Sequence, residues 1–334
     1  MTAVGLPPLE QLRESMRVVS VPLRVRFRGI TTREVALLEG PAGWGEWGPF
    51  LEYDPAESSR WLASAIESSY ATWPATCRTT VPVNATVPAV PAAEVAGVLA
   101  RFDGCTTAKV KVAERGQSLR DDVGRVAEVR RLMGPGARLR VDANGAWSVD
   151  EAADAVRALA AYDLEYAEQP CATVDELRRL RIRLARNGVD VLVAADESVR
   201  KADDPVRVAR EEAADIVVVK VAPLGGVTRA LDVVAACGLP AVVSSALDTS
   251  VGMAAGVALA AALPSLPYAC GLGTVALLAE DVRVPPLLPD RGVLRPGRVI
   301  PDPARLAALA APPERAAWWR ERLAAAYEVL RGGL

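Results

Sequence analysis

The sequence predicts an α/β protein built on a (β/α)7β barrel, with a smaller α+β segment before it. Beyond residue 80, eight apolar runs of strand length alternate with helical segments, the pattern typical of a parallel sheet. The runs cover residues 81–87, 106–112, 139–144, 164–169, 191–196, 216–220, 241–245 and 266–270. Eight strands joined by seven helical crossovers favour a closed barrel. The alternative is an open doubly wound sheet, but no G-x-G-x-x-G motif follows the first run.

Composition and charge exclude several classes of partner. The 334 residues are 51% hydrophobic and 24% charged, with a formal net charge of −2, so neither nucleic acid nor an anionic membrane is an expected partner. The longest apolar run, 251–263, is too short to span a bilayer. The five cysteines form no C-x-x-C pair, and residues 1–16 lack a signal-peptide pattern. We therefore expect a cytoplasmic protein in a reducing compartment.

The residues on either side of the barrel predict a separate cap. Residues 19–27 alternate apolar and polar side chains, as a half-buried strand does, and begin an antiparallel meander. A helix is expected over 56–73 and another over 314–330. Because the barrel is complete before the second of these helices, the C-terminal tail is expected to pack on the meander. The predicted domains are an α+β capping domain of residues 1–80 plus 280–334 and a barrel domain of residues 81–279.

Lysine is rare in this chain and concentrated at one place. Of the 39 basic residues only four are lysine, and two of these, Lys109 and Lys111, lie two residues apart in the second run. Residues i and i+2 of a strand share a face, so the two ammonium groups are expected to depress each other's pKa. The chain has no histidine, so lysine is the expected proton carrier. The alternative is an exposed strand with two solvated lysines.

Charged residues close five successive predicted strands. They are Lys111, Asp142, Glu168, Asp196 and Lys220. Each is about one strand-plus-helix unit from the next, so they should recur around one rim, where barrel enzymes have their active sites. Singly, each carboxylate could cap a helix or lie in a solvated turn. Together they need a cation, and hard oxygen ligands favour Mg²⁺. The arrangement fits abstraction of a proton next to a carboxylate, with the lysines as base, acid or cationic stabiliser.

Five linked motifs give the sequence a family resemblance. They are Thr107-x-Lys109-x-Lys111, Asp142-Ala-Asn144-Gly145, Glu168-Gln-Pro170, Asp196-Glu-Ser198 and Lys220-x-x-x-x-Gly225-Gly226. This set resembles the muconate-lactonising subgroup of the enolase superfamily. The resemblance implies a capped, enolase-like (β/α)7β fold in which Asp142, Glu168 and Asp196 hold one Mg²⁺. It also implies that Lys111 and Lys220 are the catalytic residues and face each other across a small-molecule carboxylate substrate.

Features further along the chain narrow the implied activity. Gly271-Leu-Gly-Thr274 ends the eighth run, where dipeptide-epimerising members of the subgroup have paired aspartates. This feature, the Ser244-Ser245-Ala246 end of the seventh run and the short cap are most similar to one kind of member. Those members dehydrate a succinyl-hydroxycyclohexadiene carboxylate to an aromatic acid in menaquinone biosynthesis.

The resemblance then gives the site residues their roles. Lys111 removes the proton α to the carboxylate and protonates the departing hydroxide, while Lys220 stays cationic and stabilises the enediolate. Lys109 tunes Lys111, and Asn144 contacts the substrate or a metal-bound water. The remaining expected substrate-binding residues are Ser244, Gly271 and Thr274. Three alternatives stay open. The chain could racemise N-succinylamino acids, it could have a different activity of the subgroup, or it could be a non-catalytic barrel that binds a ligand.

Overall fold

The computed structural model describes residues 5–27, 29–200 and 204–333 of the chain. Its N-terminal elements are α1 (Leu9–Ser15), β1 (Arg17–Phe27), β2 (Ile30–Gly40), β3 (Gly43–Trp47) and α2 (Pro55–Tyr70). The three strands form the predicted antiparallel meander in the order β1–β2–β3. β1 keeps the expected alternation, since Val19 and Val21 are fully buried while Arg24 and Arg26 are exposed. Asp54 directly precedes α2, and its carboxylate caps the first turn.

The strands of the barrel are short and apolar. They are β4 (Val81–Pro82), β5 (Ala85–Val87), β6 (Thr107–Lys111), β7 (Arg138–Asp142), β8 (Leu164–Glu168), β9 (Leu192–Ala195), β10 (Ile216–Val219) and β11 (Ala241–Val243). The strands β5 to β11 form one parallel sheet in sequence order. In its register Lys111 lies beside Asp142, and Asp142 beside Glu168. The carboxyl ends of neighbouring strands therefore lie at one rim.

The sheet closes into a barrel through an eighth position that is not a regular strand. The sequence predicts a strand over 266–270, but only Cys270 and Gly271 form bridges there, to Val83 and Ser244 respectively. Pro267 has no amide hydrogen for a ladder, which accounts for the short pairing. The first predicted strand is also interrupted, because β4 pairs with β12 (Val293–Leu294) instead. The (β/α)7β barrel is confirmed, and the bounds of its first and eighth strands are corrected.

Each crossover between barrel strands contains at least one helix. The barrel helices are α3 (Val95–Leu99), α4 (Leu119–Met133), α5 (Val149–Leu159), α6 (Val174–Arg186), α7 (Glu197–Arg200), α8 (Arg207–Arg210), α9 (Val221–Leu224), α10 (Val227–Cys237) and α11 (Ser250–Ala262), with 3-10 turns at Ala92–Glu94, Ala160–Tyr162 and Thr274–Leu277. Capping boxes begin α4, α5 and α6, at Ser118, Ser148 and Thr173. Among the described residues, no helix is both long enough and apolar enough to cross a bilayer.

The C-terminal elements return to the meander, as the sequence predicts. They are α12 (Pro303–Ala308) and α13 (Pro313–Gly332). On α13, Trp319 is fully buried and packs edge-on against Trp47 of β3, with ring centroids 5.3 Å apart. Its indole also donates to Glu34 of β2 at 3.0 Å, and Arg315 pairs with the same carboxylate at 2.6 Å. These contacts support a cap built from both ends of the chain, while its exact boundaries stay a prediction.

Two carboxylates of the N-terminal elements cap helices of the barrel. Glu46 of β3 accepts hydrogen bonds from the backbone amides of Thr249 and Gly252, both at 3.1 Å, at the start of α11. Glu67 of α2 accepts from the Thr228 amide at 3.0 Å, at the start of α10. Both carboxylates satisfy amides that have no partner inside their helix. Because each barrel helix begins next to the carboxyl rim, these contacts fix the meander and α2 above that rim.

Candidate active site

Five charged residues lie at the carboxyl rim of the barrel, where the sequence predicts them. Lys111, Asp142 and Glu168 are the last residues of β6, β7 and β8, while Asp196 and Lys220 directly follow β9 and β10. The three carboxylates are almost completely buried. A buried charge costs several kcal/mol unless it is paired, so the partners of these groups determine the electrostatics of the site.

Lys109 binds the two carboxylates that are nearest to β6. Its ammonium donates to both oxygens of Glu168, at 2.7 and 3.0 Å, and lies 3.3 Å from Oδ2 of Asp142. Burial alone would lower the pKa of Lys109, but the negative charges of Glu168 and Asp142 raise it well above its ordinary value. The expectation that a neighbouring lysine depresses the pKa of Lys109 is therefore wrong, because the carboxylates outweigh it. Lys109 is a fixed cation.

Lys111 lies closer to solvent than Lys109. Its Nζ donates to Oδ2 of Asp142 at 2.5 Å and to Oδ1 of Asn144 at 2.7 Å, and it lies 5.5 Å from the centre of the Phe27 ring. Asn144 has a left-handed backbone with φ of 49° and donates its amide to Oδ1 of Asp142 at 3.0 Å. Its side-chain amide donates to Glu197 at 3.2 Å. Asn144 thus helps to orient both the lysine and the aspartate.

Lys220 lies on the other flank of the carboxylates. Its ammonium donates to Oδ2 of Asp196 at 2.5 Å, and Oδ1 of the same aspartate accepts from Nε of Arg200 at 3.0 Å. Burial lowers the pKa of Lys220, and the charge of Arg200 lowers it further against the opposing effect of Asp196. Although burial raises the pKa of Asp196, the cations of Lys220 and Arg200 bring it down to about 2.

Two supporting residues of the site were not assigned from the sequence. Gln169 is fully buried, and its Oε1 accepts from the backbone amides of Asp196 at 2.9 Å and Ser198 at 3.2 Å. Gln169 therefore fixes the turn that carries Asp196 relative to the end of β8. The second residue is Arg200, which lies one helical turn after Asp196. A basic residue four positions after the aspartate was the available signal.

A narrow cavity opens between the rim and the cap. It is lined by these predicted site residues: Lys109, Lys111, Asp142, Asn144, Lys220, Ser244, Gly271 and Thr274. Glu168 and Asp196 do not line it. Phe27 and Phe50 of the cap line it too, and neither was named as a site residue from the sequence. At Gly271 a Cβ would lie 2.5 Å from Oγ of Ser244, so a larger residue there would displace the Ser244 side chain.

The donor set fits a divalent cation. Burial, and then the charge of Asp142, raise the pKa of Glu168 to about 7, although Lys109 opposes them. Carboxylates that repel each other in a buried site are stabilised by a hard cation, which prefers oxygen ligands. Within the described part of the chain, no group of three or more acidic, histidine or cysteine side chains converges closely enough to hold a metal. The lysine ammonium groups contact the carboxylate oxygens instead.

Comparisons with known proteins agree with this geometry. Residues 92–301 match the model of the enolase C-terminal domain-like family, and residues 18–69 match that of the enolase N-terminal domain-like family. The curated o-succinylbenzoate synthase of Mycobacterium tuberculosis is 60% identical to this chain. The alignment covers 97% of this chain and 97% of that enzyme. The enzyme of the same name from Mycolicibacterium smegmatis is 58% identical over 98% of this chain and 99% of its own.

Solved structures support the fold. The muconate lactonizing enzyme of Pseudomonas fluorescens, solved with muconolactone, superposes with a TM-score of 0.72 over 89% of this chain and 98% of that one. At 20% sequence identity this likeness speaks for the fold alone. The two matching domain models and the close relatives, which align along nearly the whole chain, show the family. The chain belongs to the enolase superfamily.

Proposed function

We propose that the chain catalyses the reaction of the o-succinylbenzoate synthases that it resembles. This reaction is the Mg²⁺-dependent syn-dehydration of 2-succinyl-6-hydroxy-2,4-cyclohexadiene-1-carboxylate to 2-succinylbenzoate, a step of menaquinone biosynthesis. The observation that carries the proposal is the identity of about 60% with those enzymes along 97% of the chain. The site agrees with it, since three lysine side chains and the carboxylate of Asp142 line one cavity.

Asp142, Glu168 and Asp196 would hold the Mg²⁺. When bound, this ion neutralises the negative charge that builds up on the substrate carboxylate as the neighbouring proton leaves. Two cations of the chain hold these carboxylates in place. Lys109 orients Glu168 and Asp142, and Arg200 orients Asp196. Their fixed positions supply the preorganised electrostatics that such a reaction needs.

Lys111 carries the proton in this proposal. As a neutral amine, it accepts the proton α to the carboxylate, and the electron pair of that C–H bond moves towards the carboxylate, which becomes an enediolate. The electron pair then returns to the ring as the C–O bond breaks, and the same ammonium gives its proton to the departing hydroxide. Water is released and the ring becomes aromatic. Asn144, which accepts from Lys111 at 2.7 Å, aims the amine along this path. Lys220 stays cationic beside Asp196 and stabilises the enediolate.

A racemase would use the same residues differently. It needs both Lys111 and Lys220 to exchange the α-proton, each on its own face of the substrate. The eighth position offers Gly271 and Thr274, and no carboxylate that would bind a free amine, so the substrate should present an acyl group or an anion there. Gly271 and Thr274 do not discriminate between the cyclohexadiene carboxylate and an N-succinylamino acid. Both compounds therefore have to be assayed as substrates.

Two assays on purified protein with Mg²⁺ test the proposal. The cyclohexadiene carboxylate should give a fast rise in aromatic absorbance. An N-succinylamino acid in D₂O should take up little deuterium at the α-carbon. Rapid deuterium uptake without aromatic product would make the protein a racemase. Inactivity on both substrates, with the fold intact, would support a non-catalytic barrel.

The proposal extends to the cell compartment. A cytoplasmic location agrees with the five cysteines, which are all free.

A further inference from the structure

A second cavity lies away from the active site, between β1, the end of α3 and the segment 275–288. We call it the arginine cavity. Its polar lining consists of Arg24, Arg101, Arg283, Arg305, Glu280 and Asp281. Its volume is about 540 Å³, which is the size of a small-molecule site. None of the described residues lines both this cavity and the active-site cavity.

The carboxylates of the arginine cavity are already paired. Glu280 forms an ion pair with Arg305. Asp281 is 5% exposed and accepts hydrogen bonds from the backbone amide of Ser250, at 3.1 Å, and from its hydroxyl group. Neither carboxylate is therefore available to the other arginines that line the cavity.

Three of the four arginines have no carboxylate partner among the described residues. In the described part of the chain, no acidic group lies within ion-pair distance of Arg24, Arg101 or Arg283. The Nη1 atom of Arg101 is buried and has no hydrogen-bond partner among the described residues. A buried donor without a partner costs about 1–3 kcal/mol, more when it is charged, so it indicates a missing acceptor. An anionic group is the acceptor that best fits a guanidinium.

The rest of the lining is apolar. Val275 and Leu278 form part of its floor, and Val284 and Leu288 form part of its rim with 65% and 40% of their surface exposed. Large apolar side chains exposed next to unpaired cations match a ligand that has an apolar body and one anionic end. A bare inorganic anion would leave this apolar surface in water.

We propose that the arginine cavity binds a small organic anion, a carboxylate or phosphate ester with an apolar body, as a second site distinct from the active site. Arg101 and Arg283 bind the anionic group, and the apolar lining covers the body. Val275 of the floor belongs to the 3-10 turn Thr274–Leu277, and Leu278 follows that turn directly. Thr274, the first residue of the turn, lines the active-site cavity. The two sites therefore lie back to back on one turn.

Calorimetric titration of the purified protein with 2-naphthoate tests this inference. We expect saturable binding that weakens at least about a hundredfold when Arg101 and Arg283 are both replaced by Met, because each of the two lost charge-assisted bonds is worth at least about a factor of ten. Arg186→Met, an exposed arginine on α6 outside the cavity, is the matched control and should bind normally. Arg101→Lys keeps the charge and should retain most of the binding, which separates loss of the site from loss of the fold.

Two further arms decide what is bound and where. The neutral 2-naphthalenemethanol and inorganic phosphate should each bind at least about tenfold more weakly than 2-naphthoate, since each lacks half of the recognition. In methyl NMR spectra, 2-naphthoate should shift Val275 and Leu278 even when Leu247, which lines the active-site cavity, does not move. Binding that shifts Leu247 alone, or that the double Arg variant does not weaken, would overturn the inference. Phosphate that binds as tightly as 2-naphthoate would reduce it to an inorganic-anion site.

Discussion

Lys111 and Lys220 differ in the groups that hold their ammonium ions. Lys111 donates to Asp142 and Asn144 beside the cavity. Lys220 donates to Asp196, which Arg200 also binds from the other side. The proposed dehydration asks for a titratable amine only at Lys111, and for a lasting positive charge at Lys220.

The first prediction compares two arginine substitutions. Arginine keeps the charge but does not release its proton near neutral pH. Lys111→Arg should therefore lower kcat for the dehydration by about 10²–10⁴-fold, the usual contribution of a general base. Lys220→Arg should cost no more than about tenfold, or about 1.4 kcal/mol in the barrier. The measurement is the initial rate of aromatic absorbance, with circular dichroism melting as the folding control. An equal and complete loss in both variants would indicate a two-base mechanism instead.

The second prediction concerns the metal. A chelator should abolish turnover and added Mg²⁺ should restore it, because the three carboxylates are proposed to share that ion. Three single substitutions should each weaken Mg²⁺ binding by removing a charged ligand: Asp142→Asn, Glu168→Gln and Asp196→Asn. Calorimetry with Mg²⁺ alone reads this out without any turnover. Full activity in chelator, with no Mg²⁺ bound to the protein, would exclude the assignment.

For single residues, the sequence predicts which charged groups form the site but not what they bind. The spacing of acidic residues and lysines at the strand ends was sufficient to predict that Asp142, Glu168 and Asp196 lie at one rim. It did not reveal that Lys109 is a fixed cation, because that depends on distances to Glu168 and Asp142. Nor did it assign Gln169, whose role follows from the direction of one side chain after a turn.

At the scale of elements, Glu46 links a strand of the meander to the start of a barrel helix. Its carboxylate accepts from Thr249 and Gly252 at the start of α11. Burial, and then the neighbouring charge of Asp248, raise the pKa of Glu46 to about 8. The folded protein therefore holds a proton on Glu46 at pH values where the unfolded chain has lost it.

The third prediction follows from this difference in proton binding. Between about pH 4.5 and pH 8 the folded state binds more protons than the unfolded state, so Glu46 makes the wild type less stable as the pH rises. Glu46→Gln does not titrate and should remove this loss, about 1 kcal/mol for each pH unit. Urea unfolding of both proteins at pH 5.5 and pH 8 measures it. If their free energies of unfolding change in parallel with pH, Glu46 is ionised throughout.

The elements themselves were largely predictable, and the exception has a physical reason. Apolar runs and capping boxes are local signals, so the central strands and the starts of α4, α5 and α6 could be placed from the sequence. The bounds of the eighth strand could not be predicted from the sequence, because its pairing depends on Val83 and Ser244, which are remote in sequence. With Pro267 inside the run, only Cys270 and Gly271 reach those partners.

At the scale of the whole molecule, the two ends of the chain meet above the active site. The loop between β3 and α2 carries Phe50, which lines the active-site cavity. On α13, the guanidinium of Arg322 donates to the carbonyl oxygens of Pro49 at 3.1 Å, Phe50 at 2.6 Å and Tyr53 at 2.9 Å. Sequence analysis predicts that the tail packs on the meander. That the tail holds a lining residue in place follows only from this contact.

The fourth prediction uses that contact. Arg322→Met should free the loop and lower the free energy of unfolding by about 1–3 kcal/mol, since buried carbonyl groups lose a charged donor. The groups proposed for the chemistry lie on the barrel, so kcat should change little, while KM should rise by about tenfold as the wall at Phe50 becomes mobile. Arg320→Met, on an exposed position of the same helix, should leave both constants unchanged. Michaelis parameters and melting curves for the three proteins make the comparison. A fall in kcat at constant KM would mean that α13 acts on the barrel rather than through the loop.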